Sequence, residues 1–188
     1  MGVLEMEQRK RIHPHKFTLW VAIASILMMF AGFTSAYIVK RNQANWFSFE
    51  LPNVLWYSTV IILVSSVTLW LAERHFKKRE MAKYRAFLTA TFVLGIIFVV
   101  LQFTGFYMLS QNGLPLQKNV SVSFLYVLIG VHVFHVIGGI IALMVIFIKA
   151  FSNKVRSYDV VPVEVMSTYW HFVDILWIYL LIFLIIIR

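Results

Sequence analysis

The sequence predicts an all-α fold, an integral membrane bundle of five transmembrane helices, and three observations support this prediction. Hydrophobic residues make up 61% of the chain and charged residues only 13%, whereas soluble domains average about 45–50% apolar and about 25% charged residues. Five apolar stretches reach the length of about 20 residues that a helix needs to cross a bilayer. These stretches are too long and too uniformly apolar for barrel strands, and a helix satisfies its own backbone hydrogen bonds in lipid.

The five predicted spans follow one another with short connections. Pro52 precedes the second span, Pro115 lies in a turn between the third and the fourth, and Pro162 opens the fifth, where the first helical turn tolerates proline. No connection is long enough to separate domains, so we predict an amino-terminal tail over residues 1–16 and one membrane domain over residues 17–188. The predicted spans are residues 17–39, 54–72, 87–109, 122–148 and 163–187.

The lysines and arginines predict the orientation of the helices in the membrane. Thirteen of the 17 fall on the side that holds the amino-terminal tail and the second and fourth connections, and four fall on the other side. Because basic residues accumulate in cytoplasmic segments, the amino terminus is predicted in the cytoplasm and the carboxyl terminus outside. The net charge of +9 is therefore assigned to membrane anchoring and not to nucleic acid. On the cytoplasmic side, Lys16, Arg74 and Arg85 either contact anionic lipid headgroups or act only as topology signals.

Polar and ionisable residues within the spans are the candidate functional residues, because such groups are costly at membrane depth and usually have a role. The chain has no cysteine, which excludes disulfides, iron–sulfur clusters and thiolate metal sites. Residues at spacing i, i+3 share one helix face. The candidates are two such pairs and two single residues: His132 with His135 on the fourth span, His171 with Asp174 on the fifth, Gln102 on the third, and Glu164 near the start of the fifth.

Three interpretations of these residues compete. Two histidines could bind a haem, but His135 lies roughly 20 Å and His171 roughly 12 Å from the cytoplasmic edge at 1.5 Å per residue, so the depths differ. The residues could instead form a proton or solute path. We favour the third interpretation, in which they bond to neighbouring helices, each bond contributing roughly 0.6–2 kcal/mol. His132 and His135 are then the expected partners of His171 and Asp174.

Small residues predict where the helices approach each other closely. Ala31 with Ser35 and Gly32 with Ala36 are small pairs at spacing i, i+4 on the first span, and Gly138–Gly139 lie on the fourth. Such residues let two backbones come together in lipid, so these positions are expected at helix contacts.

The fifth span carries the most specific pattern of the chain. Glu164 precedes His171 by seven residues, and this histidine stands in a Tyr-Trp-His-Phe-Val-Asp string that includes Trp170 and Asp174, with Trp177 three residues further on. The segment resembles the last-helix signature of subunit III of haem-copper terminal oxidases, which comprise cytochrome c oxidases and quinol oxidases. The chain is similar to the short five-helix bacterial form of this subunit.

The resemblance covers essentially the whole chain from Lys16 onward. The run from Gly130 to Gly138, with its two histidines, is similar to the family's Gly-x-His-x-x-His-x-x-Gly segment. The run that ends at Gln102 resembles the family's Leu-Gly-x-x-Phe-x-x-x-Gln segment, and the span that begins near Trp20 resembles its first conserved helix.

Two positions depart from the family pattern. Ile26 stands where a glutamate usually follows the serine of the first conserved helix, here Ser25. That carboxylate is linked in the family to proton uptake, so the resemblance does not carry this role to the present chain. Gly105 stands where the family tends to have a glutamate three residues after Gln102.

The resemblance implies a non-catalytic core subunit of a proton-pumping oxidase that reduces oxygen to water at the end of the respiratory chain. The chain would bind no cofactor of its own, the haem and copper residing in the partner catalytic subunits. Its partners would be oxidase subunit I, subunit II of the same complex, and membrane phospholipids held in a cleft between a two-helix and a three-helix bundle. Its location would be the bacterial plasma membrane.

Three other functions remain open from the sequence. A membrane electron carrier would use two histidines to ligate a haem. A small proton-coupled transporter would need a binding site, although no span is broken at its centre by proline as many transporter helices are. A subunit III-like accessory protein of a nitric oxide reductase would share the pattern of the fifth span.

Overall fold

The computed structural model describes residues 14–41, 53–111, 120–151 and 160–187. These residues form five α-helices and no strand, which confirms the predicted all-α fold. Each helix is long and apolar enough to cross a membrane, so the chain is a multi-pass membrane protein. The helices are α1 (Pro14–Arg41), α2 (Val54–Lys77), α3 (Met81–Gln111), α4 (Val120–Phe151) and α5 (Val161–Ile187).

Most of the helices extend beyond the predicted spans by one or more turns. Their ends carry polar side chains, as in the stretch of α2 after Ala72 that ends at Lys77. Apolar length measures the part of a helix that lies in lipid, whereas hydrogen bonding continues the helix into the interface. The helix α1 begins at Pro14, inside the predicted tail, where proline has no amide hydrogen to leave unpaired. The predicted tail and membrane domain stay predictions, because residues 1–13 lie outside the described part.

The helices divide into a pair and a group of three. The pair α2 and α3 is joined by a tight turn and packs along its length, while α1, α4 and α5 all contact one another. The pair meets the group where α3 packs on α4 and α2 packs on α5. In an apolar stretch of 18 residues of α5, half of the residues are buried in the protein, against 22–28% in the corresponding stretches of the other four helices. The last helix is therefore the core of the bundle, and its side chains decide how the others are placed.

The turn between α2 and α3 is closed by backbone and side-chain bonds at what we call the basic end of the bundle, where α1, α3 and α5 begin and α2 and α4 end. The amides of Arg79 and Glu80 donate to carbonyls in the last turn of α2, and Arg79 adopts φ 60°. The Glu80 carboxylate accepts bonds from Lys83 and His75, which lower its pKa. The His75 ring stacks on Phe87 at 5.3 Å between centroids. These contacts fix the two helices as one hairpin.

Arg85 caps the end of α4 from a neighbouring helix, so we expect Arg85→Met to destabilise the bundle. Its Nε donates to the carbonyl of Ala150 at 2.7 Å, and its guanidinium lies over the ring of Phe151. A hydrogen bond to a charged group contributes about 1.5–3 kcal/mol, and this one satisfies a carbonyl that the helix leaves unpaired. The measurement is the thermal midpoint of the purified complex.

Arg74→Met is the matched control for this prediction. Arg74 is exposed and lies over the ring of Trp70 at 5.6 Å. Surface substitutions of this kind change stability by less than about 0.5 kcal/mol. Equal midpoints for the two variants would show that the Arg85 bond contributes nothing. The lipid contacts of both arginines stay predictions.

Candidate functional site

Trp170 lies at the centre of the bundle and contacts three other helices. Its side chain projects from α5 and is only 1% exposed. A Cβ atom placed on Gly95 of α3 would lie 2.9 Å from its ring, and one on Gly139 of α4 would lie 3.2 Å from it. The indole Nε1 donates to Ser65 Oγ of α2 at 3.2 Å. Because the two glycines have no side chain, they leave the space that this indole occupies. Gly139, which was expected at a close helix contact, is at one.

Serine and threonine side chains of α2 bind the signature residues of α5. Trp177 Nε1 donates to Thr59 Oγ1 at 2.9 Å, seven residues along α2 from Ser66. The Ser66 hydroxyl lies 2.6 Å from His171 Nδ1. The two α2 hydroxyls that face α5 at these points share one helix face, because seven residues make about two turns. Together with the bond from Trp170, these contacts form what we call the α2–α5 seam.

The sequence analysis missed the partners on α2. The signal was present as Ser58 and Ser65 at spacing i, i+7, followed directly by Thr59 and Ser66 at the same spacing. Such a repeat indicates one polar face on an otherwise apolar helix. In lipid this face must turn to a neighbouring helix, since polar side chains serve there as interhelical bonds.

Two further contacts tie α2 to α3. Gln102 Nε2 donates to Ser58 Oγ at 2.9 Å, and the Thr68 and Thr91 hydroxyls lie 2.9 Å apart. The Gln102 side chain is 1% exposed, and its Oε1 has no hydrogen-bond partner among the described residues. The predicted functional position on the third span thus lies in a helix contact.

The two histidines of α4 are not the partners of His171 and Asp174, so that part of the prediction is wrong. His132 is fully buried, and its ring stacks on Trp177 at 5.1 Å with Phe30 and Phe98 edge-on. Neither ring nitrogen has a hydrogen-bond partner in the described ranges. Sequence spacing gave the faces of each helix but not which faces meet, and α5 directs this face to α2.

His135 bonds within its own helix. Its Nδ1 lies 2.8 Å from the carbonyl of Val131, which can only accept, so Nδ1 is the donor. The backbone carbonyl of His135 accepts a bond from the Tyr169 hydroxyl at 3.0 Å. The contact between α4 and α5 at this level is therefore made by a tyrosine and a backbone carbonyl, and not by paired imidazoles.

Asp174 is buried and has no hydrogen-bond partner within the described helices. The side chain is 2% exposed, and neither carboxyl oxygen has a partner among the residues that the structure describes. The Ser66 hydroxyl lies beside this carboxyl but bonds to His171. The predicted stabilising role of Asp174 has no contact to support it, whereas His171 has one.

Glu164 joins three helices at the basic end. Its two carboxylate oxygens lie 2.8 Å from Lys16 Nζ of α1 and 2.9 Å from Lys77 Nζ of α2. Lys77 also pairs with Glu73 at 2.7 Å. Lys16, predicted to contact lipid headgroups, is thus engaged with a carboxylate, and its lipid contact stays a prediction.

An open groove of about 670 Å³ lies between α1, α4 and α5 at the basic end. Apolar side chains line most of it, and Lys149 lies at its polar end together with His15. Gly138, expected at a close helix contact, faces this groove instead, and no other helix of the described ranges comes within 4 Å of its Cβ position. The groove is thus lined mainly by apolar side chains and has basic groups at one end.

The candidate histidines do not converge on one site in the described part of the chain. No group of three or more histidine, aspartate or glutamate side chains converges within the described ranges. The ring of His132 is packed against three aromatic rings, and His171 Nδ1 lies against the Ser66 hydroxyl.

These features define a class of protein, a five-helix membrane bundle in which several intramembrane polar side chains bond to other helices. The sequence profile described as Cytochrome c oxidase subunit III matches residues 15–187. The chain belongs to the cytochrome c oxidase subunit III family, and the resemblance predicted from the fifth span is confirmed.

Three relatives illustrate the family. Cytochrome c oxidase subunit 3 of Corynebacterium diphtheriae is 29% identical over 86% of this chain and 82% of its own length. Probable cytochrome c oxidase subunit 3 of Nocardia farcinica is 32% identical over 83% and 79% of the two lengths. Cytochrome bo(3) ubiquinol oxidase subunit 3 of Pseudomonas aeruginosa is 29% identical over 86% and 79%. The chain is therefore subunit III of a haem-copper terminal oxidase complex, as predicted, and its family includes both cytochrome c and quinol oxidases.

The two departures from the family pattern lie in apolar surroundings. Ile26 is buried on α1, where its aliphatic side chain packs in the core. Gly105 faces a small cavity of about 10 Å³ that is also lined by Gln102, Leu55 and Leu125. No other helix in the described part of the chain comes within 4 Å of the Cβ position of Gly105, so the absent side chain leaves a gap beside Gln102.

Proposed function

We propose that this chain carries no redox centre and stabilises the catalytic subunit I of its oxidase, next to subunit II, while holding phospholipid. The observation that supports this proposal is the α2–α5 seam. The aromatic and imidazole groups of the last-helix signature make helix contacts, which supports a structural role for them. The haem and copper of the complex would then reside in the partner subunits.

The proposal is tested by separating the chain from its complex. The isolated polypeptide is expected to give no pyridine haemochrome spectrum and no oxidase turnover. The complex that lacks it is expected to keep its haem and copper spectra but to unfold at a lower temperature. An iron porphyrin in the isolated chain would instead support the electron carrier.

We also propose that the groove at the basic end holds phospholipid. The groove has an apolar floor for acyl chains, and its polar end carries Lys149, which has the charge to attract an anionic headgroup. This places the lipid within the three-helix group, whereas the resemblance implied a cleft between the pair and the group. The proposed orientation, with the basic end in the cytoplasm of a bacterial plasma membrane, would put this lipid in the inner leaflet.

Filling the groove is the direct test of lipid binding. Gly138→Leu is expected to lower the amount of phospholipid that the purified complex retains in native mass spectrometry, because the new leucine side chain would occupy the groove. Lys149→Gln is expected to lower retention of anionic lipid more than of zwitterionic lipid. Lys40→Gln, at the opposite end of α1, is the control that should change neither. Unchanged retention in Gly138→Leu would contradict the proposal.

A further inference from the structure

The contacts of α1 differ between its two halves. Away from the basic end, Tyr37 packs edge-on against Phe124 of α4 and Phe183 of α5, with centroids 6.0 and 5.4 Å apart. Near the middle, Phe30 contacts the His135 ring of α4 at 5.9 Å. At the basic end the groove separates α1 from α4. This half of α1 is therefore one wall of the groove.

An ion pair holds this wall to α5. Lys16 follows the groove residue His15 on α1, and Glu164 lies between the groove residues Pro162 and Val165 on α5. Their charged atoms are 2.8 Å apart, at the end of α1 that lines the groove. The pair joins the first turns of these two helices, so it bears on the distance between α1 and the far side of the groove.

The strength of this pair suits reversible movement. The Lys16 and Glu164 side chains are 43% and 27% exposed, and partly exposed pairs of this kind are weak and screened by salt. Lys77 binds the other oxygen of Glu164 from α2 and is itself paired with Glu73. The carboxylate therefore keeps a partner on α2 when its bond to Lys16 breaks.

We propose that the Lys16–Glu164 ion pair is a latch that sets the position of the α1 wall and so controls the release of lipid from the groove. The proposal rests on the lipid binding proposed above. The ion pair would control the width of the groove. With the latch closed, α1 covers the acyl chains. When the ion pair breaks, the first turns of α1 move away from α5 and α4, and lipid exchanges with the bilayer.

The test compares Lys16→Gln with Lys77→Gln in the complete oxidase complex in nanodiscs. Both variants remove one positive partner of Glu164, and the two lysines are similarly exposed, at 43% and 46%, but only Lys16 lies on α1. The chain has no cysteine, so cysteines introduced at the exposed positions Val21 of α1 and Val145 of α4 carry spin labels. Pulsed electron paramagnetic resonance measures the distance between them, and native mass spectrometry measures retained phospholipid.

Lys16→Gln is expected to lengthen and broaden the label distance and to lower retained phospholipid about two- to fivefold, the effect of losing a partly exposed ion pair. Lys77→Gln is expected to change neither quantity. An unchanged distance in Lys16→Gln, or an equal change in Lys77→Gln, would overturn the latch. A longer distance with unchanged lipid would overturn its control of lipid. Failure of lipid binding itself is distinguished by Gly138→Leu, which fills the groove while leaving the ion pair intact.

Discussion

Gly95→Ala is expected to lower the stability of the complex by about 1–3 kcal/mol, the cost of overpacking a well-filled core. A Cβ at this position would lie 2.9 Å from Cη2 and 3.2 Å from Cζ2 of Trp170. The indole cannot move aside easily, because its Nε1 bonds to Ser65 and its Cζ3 and Cε3 atoms lie against Gly139. The thermal midpoint at which this subunit leaves the complex measures the loss.

The fourth helix offers the matched controls. Gly130→Ala adds the same methyl group where no atom lies within 4 Å, and alanine is the better helix former by about 1 kcal/mol, so stability should hold or rise. Gly139→Ala, with Trp170 atoms at 3.2 and 3.3 Å, should fall between Gly130→Ala and Gly95→Ala. Equal thermal midpoints for Gly95→Ala and Gly130→Ala would show that the packing of the Trp170 indole does not require Gly95.

A double variant separates the clash from other effects of Gly95→Ala. Trp170→Phe removes the ring atoms that the new methyl group would meet, at the cost of the bond to Ser65. The two substitutions share one contact, so their effects should not add, and the pair should cost less than the sum of the single variants. Additive losses would instead indicate that Gly95 acts through its own helix.

The sequence predicted the five helices, which depend on composition. It missed the contacts between them, which depend on how each helix is rotated about its axis. Apolar length revealed all five helices, since a spanning helix needs only the bilayer thickness. The spacing of His171 and Asp174 gave one face of α5, but nothing in a single sequence states which neighbour that face meets. It meets Ser66 of α2, and not the histidines of α4.

The glycines show the same limit. Gly138 and Gly139 were both expected at a close contact, yet adjacent residues on a helix point about 100° apart. Gly139 faces Trp170, while Gly138 faces the groove. Likewise, the position of Lys16 at the end of a predicted span indicated only a lipid contact or a topology signal. Its partner Glu164 is 148 residues away in sequence, so only the folded bundle reveals the pair.

Asp174→Leu is expected to raise the stability of the complex by about 1–3 kcal/mol, the cost of burying a polar group without a hydrogen bond. The carboxyl is 2% exposed and has no partner in the part of the chain that the structure describes. Leucine branches at Cγ as aspartate does, so it fits a similar space without the desolvation cost. Asp174→Asn keeps a buried polar group and should therefore raise stability less than Asp174→Leu does.

His171→Leu on the same face is the control of opposite sign. It removes the bond to Ser66, so stability should fall by about 1 kcal/mol. If Asp174→Leu also lowers stability, Asp174 has an interhelical partner after all. If it raises stability while turnover or assembly declines, the carboxyl is retained for a role other than packing, since a polar group held at a stability cost inside a membrane indicates function.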